Sequence, residues 1–248
     1  MSEDTALRYS RQISLSQIGE EGQRRLANSS VSIIGLGGLG ASASLYVASS
    51  GVGNMIINDF DRVDVSNLPR QILFDPDSVG QFKTAETAKQ LKLRNPRINI
   101  TELNERLPED ALINAVNASD AVLDCTDNFA IRMLINRVCV ANRTPLISGA
   151  AIRMEGQLAV FNYNKNGSGP CYSCLYSEED ENLEDCAGQG ILAPVVGTIG
   201  CMMATETVKL LIGLDTELDR KLWAYDALAG SARTVKIQRR KNCPVCSQ

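Results

Sequence analysis

Apolar positions fall in short runs separated by amphipathic stretches through the first two thirds of the chain. Val31–Ile34 reads as a buried strand, Leu39–Ser50 as a helix and Asn54–Asn58 as a second strand. Thr84–Leu93 has a helical period and stops before Asn95-Pro96, because a residue preceding proline avoids the helical region. Ile98–Leu103 is expected as a strand, Glu109–Asn117 as a helix, Ala121–Cys125 as a strand and Phe129–Asn142 as a longer helix. Leu146–Ser148 and Leu158–Phe161 read as further strands. This alternation predicts an α/β fold: a Rossmann-like, mostly parallel sheet with helices on both faces.

The pattern changes after Phe161. Asn162–Pro170 is a polar loop, and Ser177–Gly190 is acidic and glycine-containing with no apolar period. A helix is expected over about Thr198–Ile212, and strands near Leu222–Tyr225 and Arg233–Ile237. The expected organisation is a single nucleotide-binding domain over 1–248. It would carry an N-terminal helical arm over 1–28 and a C-terminal elaboration over about 162–248.

Composition narrows the chemistry chiefly through one count: the 248 residues contain no histidine. That excludes Ser-His-Asp and Cys-His nucleophile arrangements, imidazole metal ligands and the usual general base at neutral pH. With 25 basic and 29 acidic residues the net charge is −4, so no nucleic-acid partner is expected. The first residues carry charges rather than an apolar core, and the apolar stretch Ile191–Thr205 is too short for a bilayer span. A cytoplasmic chain without membrane contact is expected, its eight cysteines reduced, catalytic or metal-bound.

Gly35-Leu36-Gly37-Gly38-Leu39-Gly40 lies directly between the first strand and first helix. Glycines there permit a tight turn and close approach of backbone amides to phosphate at a helix N-terminus. Asp59 follows Gly40 by 19 residues, where a carboxylate accepts from a ribose hydroxyl. NAD and ATP both satisfy this pattern; the plain alternative is a glycine corner. Cys171-Tyr-Ser-Cys174 and Cys243-Pro-Val-Cys246 are two C-x-x-C pairs, separated by residues 175–242. Two such pairs suit one closed tetrahedral Zn²⁺ site, which would clamp the elaboration; redox pairs or chance are the alternatives. Cys125, Cys139 and Cys201 read as core residues.

A long excursion between the second strand and the next helix carries Asn67, Arg70, Gln71 and Lys83, placed to cover a triphosphate, although any one of them alone reads better as part of a solvated surface loop. Asp127 follows a parallel strand, where open α/β sheets bind ligands. It could hold Mg²⁺, or simply cap a helix with Asn128.

GLGGLG, the DFD of Asp59–Asp61, Ser66–Gln71 (SNLPRQ), Lys83, DCTDN (Asp124–Asn128), SGAAIRMEGQ (Ser148–Gln157) and the paired cysteines together resemble the MoeB/ThiF adenylyltransferases. These are bacterial relatives of ubiquitin-activating enzymes, and the resemblance runs from about Arg8 to Cys246. It implies ATP-dependent adenylylation of the C-terminal glycine of a ubiquitin-like sulphur carrier ending in Gly-Gly, with release of pyrophosphate, for molybdopterin or thiamine biosynthesis. It assigns Gly35, Gly37, Gly38 and Gly40 to phosphate binding and Asp59 to the ribose. Ser66, Asn67, Arg70, Gln71, Lys83, Asp127 and Asn128 go to the nucleotide and its Mg²⁺. Arg11 would reach the neighbouring subunit's site in a homodimer. Pro69 replaces the glutamine usual before the arginine and removes an amide donor.

A glycine carboxylate is ionised at pH 7, so its attack on the α-phosphorus requires no base, in keeping with the missing histidine. In ThiF-like members a cysteine at the place of Cys186 is assigned covalent chemistry with the carrier; here Glu184 and Asp185 would raise its pKa. A separate sulphurtransferase or cysteine desulphurase would supply the sulphur. The rival readings are an NAD-dependent dehydrogenase and an inactive module that binds a ubiquitin-like protein.

Overall fold

The computed structural model describes residues 3–163, 169–176 and 189–247. Ser177–Gly188 and Cys186 therefore lie outside the described residues. Three helices open the chain: α1 (Glu3–Arg8), α2 (Ser10–Ile13) and α3 (Gly19–Asn28). There follow β1 (Ser30–Ile34), α4 (Gly38–Ser49), β2 (Asn54–Asn58), α5 (Lys83–Arg94), β3 (Asn99–Leu103), α6 (Glu109–Asn117), β4 (Ala121–Asp124) and α7 (Phe129–Asn142). The remainder is β5 (Leu146–Ile152), β6 (Glu155–Phe161), α8 (Tyr172–Leu175), α9 (Ala193–Leu211), β7 (Lys221–Asp226) and β8 (Ser231–Lys236).

One eight-stranded sheet has the order β3-β2-β1-β4-β5-β6-β7-β8. The first five strands in that order are parallel, and β6, β7 and β8 continue it antiparallel. The apolar runs of β1 and β4 are buried because helices cover both faces. Val31, Ile33 and Leu123 pack with α4, α5 and α9; Ile34 and Val122 pack with α6 and α7. Chain order reverses between β1 and β4, the switch point at which such sheets bind ligands.

Three elements depart from the expectation. β5 and β6 are seven residues each and form one hairpin, not two short strands. Glycine broke the apolar pattern at Gly149 and Gly156, yet both lie in strand because α9 presses on them. A Cβ on Gly149 would lie 2.4 Å from Met203 Sδ, and one on Gly156 2.5 Å from Ile199. The helix α9 starts at Ala193, with Pro194 in its first turn, where the missing N–H costs nothing. Cys201 on α9 is half-buried rather than core, unlike Cys125 and Cys139.

The N-terminal helices are fastened to the far end of α4. Tyr9 is buried and its hydroxyl accepts from Asn95 at 2.9 Å; Gln12 Nε2 donates to the Ser50 carbonyl at 2.9 Å. Among the described residues, no helix is long and apolar enough to cross a membrane.

Candidate active site and metal centre

The glycine turn solves a packing problem and leaves backbone amides without a side-chain cap. Gly35 has φ +90°, and a Cβ there would lie 2.9 Å from the Cys125 carbonyl oxygen. A Cβ on Gly40 would lie 2.0 Å from the Gly35 carbonyl oxygen, so only glycine lets α4 start this close to β1. Gly38 is wedged between Val196 of α9 and the Arg70 carbonyl, 2.7 and 3.2 Å from its notional Cβ. Gly37 caps α4 without a side chain, so the first-turn amides are left for an outside partner. Near Gly37, only the Gln71 amide nitrogen comes within 4 Å of a notional Cβ, at 3.9 Å.

Asp59 stands against this turn. Its Oδ2 accepts from the Leu36 amide at 2.8 Å and its Oδ1 from the Asp61 amide at 2.9 Å. Burial raises its pKa, while Lys83 and these two amides oppose the rise. Lys83 opens α5 with a buried side chain, and its Nζ pairs with Asp61 at 3.0 Å. The excursion between β2 and α5 is folded by its own polar side chains. Asp64 accepts from the Ser66 amide and hydroxyl, and its own amide donates to Asn67 Oδ1 at 3.2 Å. Arg70 Nη1 donates back to the Ser66 carbonyl at 2.8 Å. The amides flanking Pro69 are used within the turn, Leu68 to Val65 and Arg70 to Asn67, so the turn closes around the proline.

Asn128, not Asp127, caps α7: its Oδ1 accepts from the Ile131 amide at 3.0 Å. The Asp127 carboxylate is exposed and makes no hydrogen bond or ion pair among the described residues. The Cys125 contact with Gly35 sets the start of its loop beside the glycine turn. The structure thus gathers Gly35–Gly40, Asp59, Asn67, Arg70, Gln71, Lys83 and the Asp127 loop at the C-terminal edge of the parallel strands. Arg11 is elsewhere, exposed beside the Tyr9 and Gln12 contacts at the C-terminal end of α4.

Several side chains that support this edge escaped sequence reasoning. Buried Asn58 donates to the Leu103 and Glu105 carbonyls at 2.7 and 2.9 Å, fastening β3 to β2. Asp124, Arg132 and Ser148 form a buried polar cluster under the Asp127 loop. One signal was present for Arg132: a lone cation inside the apolar run Phe129–Ile135.

Cys171, Cys174, Cys243 and Cys246 bring their four Sγ atoms within 4.8 Å of one another. Cys171–Cys243 and Cys174–Cys246 are 3.6 and 3.5 Å apart. Tetrahedral Zn–S bonds of about 2.3 Å require S···S separations of about 3.8 Å, so the donor set fits such an ion. Burial pushes the Cys171 thiol well up and Cys246 up to about 11. At Cys243 burial is outweighed by the Cys246 and Val245 amides and the neighbouring thiols, which hold it down at about 7. A divalent cation would supply the charge that lets all four ionise together. Asn136 of α7 donates to Cys171 Sγ at 3.7 Å and accepts from the Tyr172 amide at 2.9 Å; the Arg240 amide donates to Cys174 Sγ at 3.4 Å. These contacts orient the thiols from outside the set.

Known proteins match this architecture. The ThiF family profile covers residues 9–245. The molybdopterin-synthase adenylyltransferase of Escherichia coli is 45% identical over 248 residues, spanning 100% of this chain and 99% of the relative. The E. coli sulfur carrier protein ThiS adenylyltransferase is 42% identical over 246 residues, spanning 99% and 97%. In fold, the chain resembles E. coli MccB crystallised with ATP, at TM-score 0.85, 23% identity and coverage of 99% of this chain and 74% of that one. The chain belongs to the ThiF family.

Proposed function

We propose that this chain adenylylates the C-terminal glycine carboxylate of a ubiquitin-like sulphur carrier. The observation that carries the reading is the unpaired Asp127 carboxylate at the sheet edge that also holds the open amides of α4 and the buried Lys83. The relatives' names, which join adenylyl transfer to molybdopterin synthase and ThiS, support the reaction class over hydride transfer or a binding-only module.

In the reaction, a carboxylate oxygen of the carrier's terminal glycine attacks the α-phosphorus of ATP. The bond to the bridging oxygen breaks, and pyrophosphate leaves with the electron pair. No proton needs to move, because the attacking group is already an anion. Mg²⁺, when bound, neutralises phosphate charge and aligns the leaving group. Asp127 supplies its carboxylate oxygen; Arg70, Lys83 and the α4 amides hold the phosphates; Asp59 holds the ribose, with Ser66, Asn67, Gln71 and Asn128 lining the nucleotide. Lys83 must exchange Asp61 for phosphate as ATP enters. Adenylate formation needs no thiol, so Cys186 would act only in later sulphur transfer, fed by a separate sulphurtransferase or cysteine desulphurase. Cys171, Cys174, Cys243 and Cys246 would hold Zn²⁺ in a closed site. Their reduced state and the reaction's substrates suit the cytoplasm.

The family resemblance further implies a homodimer. The twelve residues of α4 span about 18 Å, and Arg11 sits at the end opposite its own phosphate turn. It is therefore suited to a partner's site. Between Ala193 and Thr205 α9 carries no charged side chain, although Thr198, Cys201 and Met202 are only half-buried, which suits an outer face covered by a second copy.

Carrier-dependent ATP–pyrophosphate exchange tests the function: exchange is expected with a carrier ending in a free glycine carboxylate and none without it. The shared site has its own test. Arg11→Ala and Asp127→Asn proteins should each be nearly inactive, and after mixing and re-dimerisation about a quarter of wild-type activity should return, since half of randomly paired dimers hold one intact site. No recovery in confirmed mixed dimers would remove Arg11 from the partner's site.

A further inference from the structure

The chemistry assigned to Asp127 needs its carboxylate in one place, yet no hydrogen bond or ion pair holds that carboxylate among the described residues. Both of its neighbours, however, are fixed. On one side, Asp124 Oδ1 accepts from the Thr126 amide at 3.1 Å and the Thr126 hydroxyl at 2.7 Å, while the Thr126 carbonyl accepts from Arg132 Nη2. On the other side, Asn128 caps α7, and its carbonyl accepts from the Arg132 amide at 3.1 Å.

Arg132 joins these contacts to the sheet. Its side chain is 8% exposed, and its Nη1 lies 3.7 Å from Asp124 Oδ2. It donates to the Gly149 carbonyl at 2.8 Å and the Ser148 hydroxyl at 3.4 Å. Ser148 in turn donates to Asp124 Oδ2 at 3.0 Å, closing the ring. One planar fork thus grips the Asp127 loop, β4 and β5 together. An ammonium on a flexible stem cannot hold these acceptors at once.

We propose that Arg132 is a positioning residue: through Asp124, Ser148 and the Thr126 carbonyl it sets where Asp127 presents its carboxylate to the metal-bound nucleotide. The proposal rests on the role given to Asp127 above. A buried ion pair is a weak source of net stability, and Arg132 of this one also holds the carbonyl of Thr126, the residue before Asp127, whose exposed carboxylate has no partner among the described residues.

Arg132→Lys should slow pyrophosphate exchange by about tenfold or more, the usual scale for loss of an outer-shell partner, and raise the Mg²⁺ concentration needed for half-maximal rate. Ser148→Ala removes only the bridging hydroxyl and leaves no charge unpaired; it should shift the Mg²⁺ requirement in the same direction with the fold intact, should Arg132→Lys prove insoluble. A double-mutant cycle separates positioning from plain stability. In an Asp127→Asn background, Arg132→Lys, or Ser148→Ala in its place, should cause no further loss. Multiplying effects, or an unchanged Mg²⁺ requirement, would overturn the positioning role alone. A silent Asp127→Asn would overturn it together with the role of Asp127.

Discussion

Asp127→Asn is expected to lower pyrophosphate exchange on the order of 10²-fold or more while leaving the nucleotide-free melting temperature unchanged. The two halves of that expectation have separate causes. Stability is spared because Asn128 makes the cap bond of α7 and Asp127 is exposed with no partner among the described residues. Activity is lost because a neutral amide replaces an anionic oxygen where a hard cation prefers carboxylate. Exchange and melting measured on the same preparation decide it. Near-normal exchange would leave catalysis to Lys83, Arg70, Arg11 and the α4 amides.

Cys243→Ser should have the largest effect on stability. It removes the thiol held down at about 7 and leaves three sulphurs for a four-ligand ion. A metal held at a thousandfold its Kd stabilises by about 4 kcal/mol, which for a chain of this size corresponds to a fall in Tm of about 10 °C. Elemental analysis should find one zinc per wild-type chain and less than one in the variant. Loss is expected to loosen α8 from the C-terminal segment, because Cys171–Cys243 and Cys174–Cys246 meet across that gap and leave Arg240 with its bonds to Ser173 and Tyr176 to bridge it. A zinc-loaded wild type with the same Tm as the variant would leave the cluster without a structural role.

Most of the parallel half could be read from the chain itself. Runs such as Val31–Ile34 and Ala121–Leu123 are apolar on both faces only because helices cover both faces. The glycine turn and the paired cysteines were equally plain, because a steric requirement and a ligand geometry each demand a residue type at a fixed spacing. Legibility failed where long-range packing overrode local pattern. Gly149 and Gly156 look like breaks until α9 is laid across them. Pro194 looks like a helix stop until it is found in the first turn. The Asp124–Arg132–Ser148 ring joins residues 24 positions apart, and no spacing rule announces it. Asp127 and Asn128 were indistinguishable as caps in sequence; only the 3.0 Å bond from Ile131 separates them.

The most direct measurement is the intact mass of a Gly-Gly carrier incubated with this protein, ATP and Mg²⁺ in the absence of a sulphur donor. A carrier heavier by one adenylyl group, formed with release of pyrophosphate and abolished when the terminal carboxylate is converted to an amide, is the predicted result. An unmodified carrier beside catalytically competent dimers, or labelling that persists on the amidated carrier, would contradict adenylylation of the glycine carboxylate.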